Sequence, residues 1–338
     1  MKLLTYLGPG DEAQIGALLD DGQTVAALQA GVTAMEGKPL PCFRDMLSYL
    51  REGSAARDKA HAVADYVSRE RPDDAALALD NVAVLAPLPC PESIRDCMAF
   101  EDHVINVIRV VGLGRLAGLD EAIERRLGRR FTLAYRANRA WYERPVYYKS
   151  NRFSVVGPDA PVRIPAYSKK FDYELEWGVI IGKKGRDIPE SSAREHIAGY
   201  TIFNDFSARD IQFKEMAGRL GPAKAKDFDT GNAIGPWMVT ADELSDPYNL
   251  TMTARINGAE WSRGTTADMY WSFEQMISYI SRSETLYPGE FIGSGTCSGK
   301  QGKGCGLELG KFLKAGDVVE LEVEGIGVLR NKVTQSLE

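Results

Sequence analysis

The sequence predicts an α+β protein, mainly β, with a small N-terminal α+β unit over residues 1–90 and a larger unit over 91–338. Three observations predict it. Strand patterns recur near residues 173–182, 200–206, 250–257 and 317–330. Among them lies one clear amphipathic helix, in which Phe273, Met276, Ile277 and Ile280 fall at i, i+3, i+4 and i+7. A stiff crossing, with Pro87, Pro89 and Pro91 around Cys90, separates this run from a short region with its own pattern.

Composition narrows the function classes. The 338 residues are 44% hydrophobic and 26% charged, which suits an ordinary globular chain. No run approaches the roughly 20 apolar residues a membrane span needs, and the apolar core of Met1–Tyr6 is too short for a secretory signal, so the expected address is cytoplasmic. The five cysteines form no C-x-x-C pair, and an odd count suits reduced thiols. A net charge of -6 argues against general nucleic-acid binding.

In the N-terminal region, Ile15–Leu19 and Thr24–Leu28 flank Asp20-Asp21-Gly22-Gln23, a two-strand pattern with an Asp-Gly turn. Phe43, Met46, Leu47 and Leu50 then form one apolar helical stripe, and a second helix is expected over about 55–68. Residues 94–104 have a strand-to-loop pattern in which Asp96 precedes His103 by seven positions. Residues 109–152 stand out: eleven Arg or Lys against four Asp or Glu, interleaved with Phe131, Tyr135, Trp141, Tyr142, Tyr147 and Tyr148. We expect a lid-like cover whose basic excess attracts a substrate carboxylate, against a plain solvated helix face.

Phe171–Ile181 reads as a strand that places Asp172, Glu174 and Glu176 on one face and Tyr173, Leu175 and Trp177 on the other. Because Val179–Ile181 continues into a core, two carboxylates two positions apart there would need a cation, for which hard divalent ions are the natural choice. Ser192-Ala193-Arg194-Glu195 has the form of a capping box that opens a short helix. The strand at Tyr200–Phe203 runs into Asn204-Asp205, a third acidic position. If the following residues are helical, Arg209 and Gln212 share a face. Lys226, in Lys226-Asp227-Phe228-Asp229-Thr230, could steady a developing negative oxygen. The loop around 293–304 is glycine-rich but fails the phosphate-loop pattern, with Ser294 and Gln301 at decisive positions.

The motifs Asp172-Tyr173-Glu174-Leu175-Glu176, Asn204 to Gln212 and Lys226 to Thr230, in that order, resemble the fumarylacetoacetate hydrolase family over about residues 90–335. The resemblance implies a mixed β-roll and a homodimer. It also implies Asp96, Glu174, Glu176 and Asp205 as ligands of a divalent cation, Mg2+ first and Mn2+ or Ca2+ as alternatives. By the same likeness His103 is the general base and Glu308 its partner. Lys226, Arg209 and Gln212 orient substrate and hold an oxyanion, and Tyr148 and Thr296 touch substrate. The acylpyruvase-like members carry a glutamate three residues after the histidine, where this chain has Asn106. The base is therefore expected to use Glu308, or to act without a carboxylate partner.

The expected activity is hydrolytic cleavage of a carbon–carbon bond in a small anionic diketo acid: an acylpyruvate, fumarylpyruvate, fumarylacetoacetate or a diketo-deoxy sugar acid. Two alternatives stand beside it. One is hydration, decarboxylation or tautomerisation of a 2-oxo acid at the same site; the other is a non-enzymatic, metal-stabilised binding protein.

Overall fold

The structure, a computed structural model, describes residues 1–336. It opens with β1 (Lys2–Leu7), β2 (Ala13–Leu18) and β3 (Thr24–Ala27). β2 and β3 pair as the expected hairpin across the Asp-Gly turn, whose Asp21 accepts from the backbone of Gln23 and Thr24. Helix α1 (Leu28–Glu36) follows, then α2 (Met46–Glu52) and α3 (Ser54–Glu70). Asp45 caps α2 by accepting from Ser48 N, so Phe43 lies just ahead of the helix it was expected to begin. Short strands β4 (Ala76–Ala78) and β5 (Ala83–Leu85) lead to the proline crossing.

The N-terminal region is not detached. β1 pairs antiparallel with a strand more than 230 residues later, Lys2 opposite Val239. Leu3, Ile15 and Val63 also share one core with Ile180, Phe203 and Phe291. The boundary near residue 90 therefore stays a proposal about units of the sequence, not about separate bodies.

Beyond the crossing come β6 (Ser93–Cys97) and α4 (Glu101–Val107). The latter corrects the loop expected after Asp96: His103 sits on a helix. Within 109–152 a π-helical turn at Ile108–Leu113 leads to α5 (Ala117–Leu127), α6 (Leu133–Ala137) and β7 (Tyr147–Ser150). Buried Asp120 organises this stretch by accepting from Arg109 Nε and from the N–H groups of Leu133 and Ala134. Arg129 ties it to α4 through Glu101 and Asp102. Trp141, Tyr142, Tyr270 and Trp271 pack edge-to-face or tilted into one aromatic cluster.

Three short strands precede the site strands: β8 (Val155–Val156), β9 (Pro161–Arg163) and β10 (Phe171–Asp172). β11 (Glu176–Ile181) continues the motif expected as one strand, which is interrupted at Tyr173–Leu175. There Glu174 N donates to Asn204 Oδ1, a side chain of the strand Ile197–Asp205, and Leu175 N to Gly304 O, so a side-chain oxygen and a loop carbonyl replace a ladder. After β12 (Gly185–Arg186), α7 (Glu190–Ala193) begins at Pro189 and not at the expected capping box, because Ser192 Oγ turns back to donate to Pro189 O. β13 (Ile197–Asp205) and β14 (Ser207–Ala208) run into α8 (Arg209–Ala217).

The remainder comprises β15 (Asn232–Thr240), β16 (Thr251–Ile256), β17 (Ala259–Thr265), α9 (Phe273–Ile280), β18 (Thr285–Leu286), β19 (Glu290–Gly293), α10 (Gly306–Leu309), β20 (Val318–Val323) and β21 (Gly327–Thr334). α9 buries Phe273, Met276, Ile277 and Ile280 as its periodicity requires, each worth about 1.5–3 kcal/mol of burial. A Ser272–Gln275 capping box opens it.

The strands form the expected mixed α+β architecture. The large sheet has the order β4-β3-β2-β1-β15-β13-β11-β19-β6-β7, with β5 and β8 attached to β1 and β15. A five-stranded sheet, β17-β16-β20-β21-β9, packs against it through Met252, Leu321 and Leu329, which join Trp177 and Tyr200 in the main core. Among the described residues, no helix is long and apolar enough to cross a membrane.

Candidate active site

Three strands of the large sheet and one bridge residue bring the acidic residues together. Asp96 lies on β6, Glu176 opens β11, Asp205 ends β13, and Glu174 forms an isolated antiparallel bridge with Cys305 between β10 and β11. Each offers an oxygen within 4.8 Å of the others, and all four are buried. The strand between, β19, ends at Gly293, where a Cβ would lie 2.5 Å from Asp96 Oδ1 and 3.0 Å from the ring of Phe203. Glycine at that position makes the room Asp96 occupies.

The cluster carries more negative charge than its neighbours offset. Five buried carboxylates, with Asp172 included, face two buried cations, Arg209 and Lys226. Lys226 Nζ donates to Glu174 Oε2 at 2.7 Å and to Asp205 Oδ2; Tyr148 also donates to Asp205 Oδ2. Asp96 Oδ1 accepts from Gly295 N at 3.2 Å. By contrast both oxygens of Glu176 and Oδ1 of Asp205 meet no donor among the described residues. Asp96 and Glu176 offer oxygens within 4.8 Å of each other, so two ionised carboxylates there would repel strongly.

Electrostatics follow from that crowding. Burial, then repulsion from Asp205, pushes the Asp96 carboxyl well above its usual range. Burial, then Asp96 and Glu174, does the same to Glu176. Burial outweighs the pull of Lys226 and lifts Asp205 to about 6. Burial also works against the charge of Glu174, but Arg209 and Lys226 override it and hold the group far below the ordinary carboxylate range. Orphaned acceptors and mutually raised carboxyls fit a hard divalent cation, for which oxygen ligands are the natural set.

The second corner is the imidazole. His103 Nδ1 lies 2.7 Å from Glu308 Oε1, and the pair is buried. Glu308 Oε1 also accepts from Ser298 Oγ at 2.6 Å, and its Oε2 accepts from Asn106 Nδ2 at 2.6 Å. Burial disfavours the Glu308 charge, yet His103, Ser298 and Asn106 keep its carboxyl below the ordinary range. An ionised Glu308 assigns the proton to Nδ1 and leaves Nε2 as the basic nitrogen. Cys305 Sγ lies 3.5 Å from the same Oε1, and burial pushes that thiol well up, so the His103, Cys305, Glu308 trio is a poor second metal site.

The remaining expected residues divide. α8 is helical as the spacing required, and Arg209 Nη1 donates to Gln212 Oε1 at 2.9 Å. Arg209 Nε and Nη2 donate to Asp172 and Glu174, both at 2.7 Å, so all three nitrogens are engaged with the protein. Gln212, half-buried, has its carbonyl end fixed by Arg209. Thr296 is buried on the loop after β19, next to Gly295. Two contributors were not singled out from sequence. Asp172 was read only as a strand carboxylate, and Ser298 lay unremarked in a glycine-rich loop whose composition was the only available signal.

The fumarylacetoacetate (FAA) hydrolase C-terminal family model matches residues 122–334. A mitochondrial oxaloacetate tautomerase of Xenopus laevis is 32% identical over 95% of this chain and 86% of that protein. A human mitochondrial oxaloacetate tautomerase is 39% identical over 56% of this chain and 59% of its own length. Among solved structures, a fumarylacetoacetate hydrolase from psychrophilic Exiguobacterium antarcticum superposes with a TM-score of 0.71 at 26% identity, covering 99% of this chain and all of that one. Motif order, sheet order and these matches converge, and the chain belongs to the fumarylacetoacetate hydrolase family.

Proposed function

We propose that the protein hydrolyses a carbon–carbon bond of a small diketo acid held at a divalent cation. The observation that carries this reading is the His103–Glu308 pair beside four buried carboxylates. Asp96, Glu174, Glu176 and Asp205 would hold the ion, Mg2+ in our reading, which when bound supplies Lewis-acid polarisation of the substrate carbonyl. His103 Nε2 takes a proton from water as its oxygen adds to the carbonyl carbon, and Glu308 steadies the imidazolium. The amide end of Gln212 stands as the donor for the resulting negative oxygen, and Lys226, whose three N–H groups go to Glu174 and Asp205, adds its positive charge from behind those carboxylates. The carbon–carbon bond then breaks, and the leaving enolate carbon receives the proton from the imidazolium, giving a carboxylic acid and a ketone. Arg209, with its nitrogens engaged, positions Glu174 and Gln212. Tyr148 and Thr296 face the substrate in this reading.

A second reading, tautomerisation of oxaloacetate, is favoured by the Xenopus and human relatives, both oxaloacetate tautomerases by name. It uses the same imidazole to move a proton between carbon and oxygen without breaking the skeleton. We extend the reading to a homodimer, supported by exposed Val110, Val111, Leu119, Leu127 and Phe131. We extend it also to a reducing, cytoplasmic compartment, supported by five unpaired thiols.

The test is an ultraviolet assay of Mn2+- or Mg2+-loaded protein against acylpyruvates, fumarylpyruvate, fumarylacetoacetate and diketo-deoxy sugar acids. Enol-oxaloacetate is followed in parallel. Chelator-sensitive loss of the diketone chromophore, with the two acid and ketone fragments seen by NMR, is the expected result. Accelerated enol-to-keto conversion with intact skeletons selects the second reading, and no turnover of any of them overturns both.

A further inference from the structure

Asp172 ends β10 fully buried, and its carboxylate is saturated by the protein. Oδ1 accepts from Tyr173 N at 2.9 Å and Gly306 N at 2.8 Å; Oδ2 accepts from Leu307 N at 2.9 Å and Arg209 Nε at 2.7 Å. Gly306 and Leu307 are the first two residues of α10, the single helical turn that carries Glu308. Arg209 is the guanidinium that holds Glu174 and Gln212. The approach is tight: a Cβ at position 306 would fall 2.4 Å from Asp172 Oδ1 and 2.2 Å from Lys311 O, so only glycine allows it.

We propose that Asp172 is a positioning residue that couples the two corners of the site. One carboxylate grips both the backbone under Glu308 and the guanidinium behind Glu174, and thereby fixes His103 relative to the acidic cluster. The inference rests on the reading of His103 and Glu308 as the base pair given above. The physical need is plain. His103 and Glu308 stand 205 positions apart in the chain and Asp172 and Arg209 stand 37 apart, so nothing local sets the base against the cluster. Supporting groups of this kind hold reacting atoms within the few tenths of an ångström that efficient chemistry requires. A carboxylate is the residue type that can accept four donors in one plane.

The test reads His103 directly. The chain has three histidines, so imidazole-labelled protein gives few signals, and His103→Gln assigns the Nδ1–H proton held by Glu308. Asp172→Asn keeps the size of the side chain but turns an amide NH2 against two of the four donors. In the folded, full-length variant the His103 Nδ1–H signal is expected to shift or be lost to exchange, with kcat lowered about 10–100-fold and KM changed far less. A folded Asp172→Asn protein with the wild-type signal overturns the proposal, whatever its melting temperature. Should that variant not fold, Arg209→Lys serves. It keeps the charge but loses the planar fork spanning Asp172 and Glu174. A moved His103 signal then supports the coupling, because Arg209 touches neither His103 nor Glu308, and an unmoved signal overturns it. Because the signal is recorded without substrate, absence of turnover would count against the assigned reaction and leave this inference to be decided by the spectrum.

Discussion

Glu176 and Glu308 are glutamates of nearly equal burial, 0% and 3% exposed, and their surroundings treat them in opposite ways. Glu308 receives donors from His103, Ser298 and Asn106 and stays ionised in spite of its burial. Glu176 receives none among the described residues and is pressed by Asp96, Glu174 and Asp205. A buried carboxylate is tolerable once its lone pairs are met. The protein meets those of Glu308 itself, whereas Glu176 is completed only by something positively charged from outside. One corner is an orienting device and the other a receptacle.

The largest expected effect separates the corners by function. His103→Gln should lower turnover by about 10²–10⁴-fold while Mn2+ affinity stays within a few-fold of wild type. Steady-state kinetics and a calorimetric Mn2+ titration check it, and a parallel loss of ion binding would break the distinction. Next, the same chemical change at the two glutamates should act with opposite sign on the metal-free protein. Glu176→Gln relieves repulsion and should raise the melting temperature under EDTA, while weakening Mn2+ binding by about 10–100-fold. Glu308→Gln should cost about 1–3 kcal/mol of stability, because it sets an amide NH2 against existing donors, and should leave ion affinity nearly intact.

A pH series sharpens the contrast further. Asp96, Glu176 and Asp205 have carboxyls raised in the folded state, Asp205 to about 6. Raised carboxyls mean the folded chain binds more protons than the unfolded one. Metal-free stability should therefore be highest near the unfolded carboxylate range of about 4 and fall as pH rises through about 6 and beyond. Glu174, held low, acts in the reverse sense, its contribution being lost progressively as pH falls below the unfolded carboxylate range. Thermal melts in EDTA should show that decline, and saturating Mn2+ should flatten it. The smallest effect belongs to Asn106→Ala, which removes one of the bonds to Glu308. A loss of about 1 kcal/mol in orientation predicts roughly a five-fold lower kcat with ion binding unchanged.

The sequence made the receptacle more legible than its supports. Glu174 and Glu176 lie two apart before an apolar run, and Asp205 ends a strand, so alternation and the family motifs pointed at them. Asp96 and His103 came into view through the resemblance, but the helix under His103 did not. α4 is only seven residues long, and Phe100 offers it no side-chain cap. The link through Asp172 was invisible because its partners Gly306 and Leu307 lie 134 and 135 residues away, and no local periodicity encodes such a contact. β1 was missed for the same reason. Its place in the large sheet is set by β15, which periodicity within six residues cannot reveal. Arg209 shows the opposite error: its spacing was read correctly, but not that all its nitrogens are spent on the scaffold.

The order β13-β11-β19-β6 has a consequence for how such a protein can diversify. Three of the acidic side chains hang from strands whose separation is set by backbone hydrogen bonds at about 4.8 Å per step, and loops have no say in that spacing. The stretch from α5 to the aromatic cluster belongs to no strand of that array, so it can be lengthened, recharged or exchanged while the ion's cage keeps its dimensions. In the proposed reading, the groups that would meet the substrate and those that would hold the cation can therefore change independently within one chain.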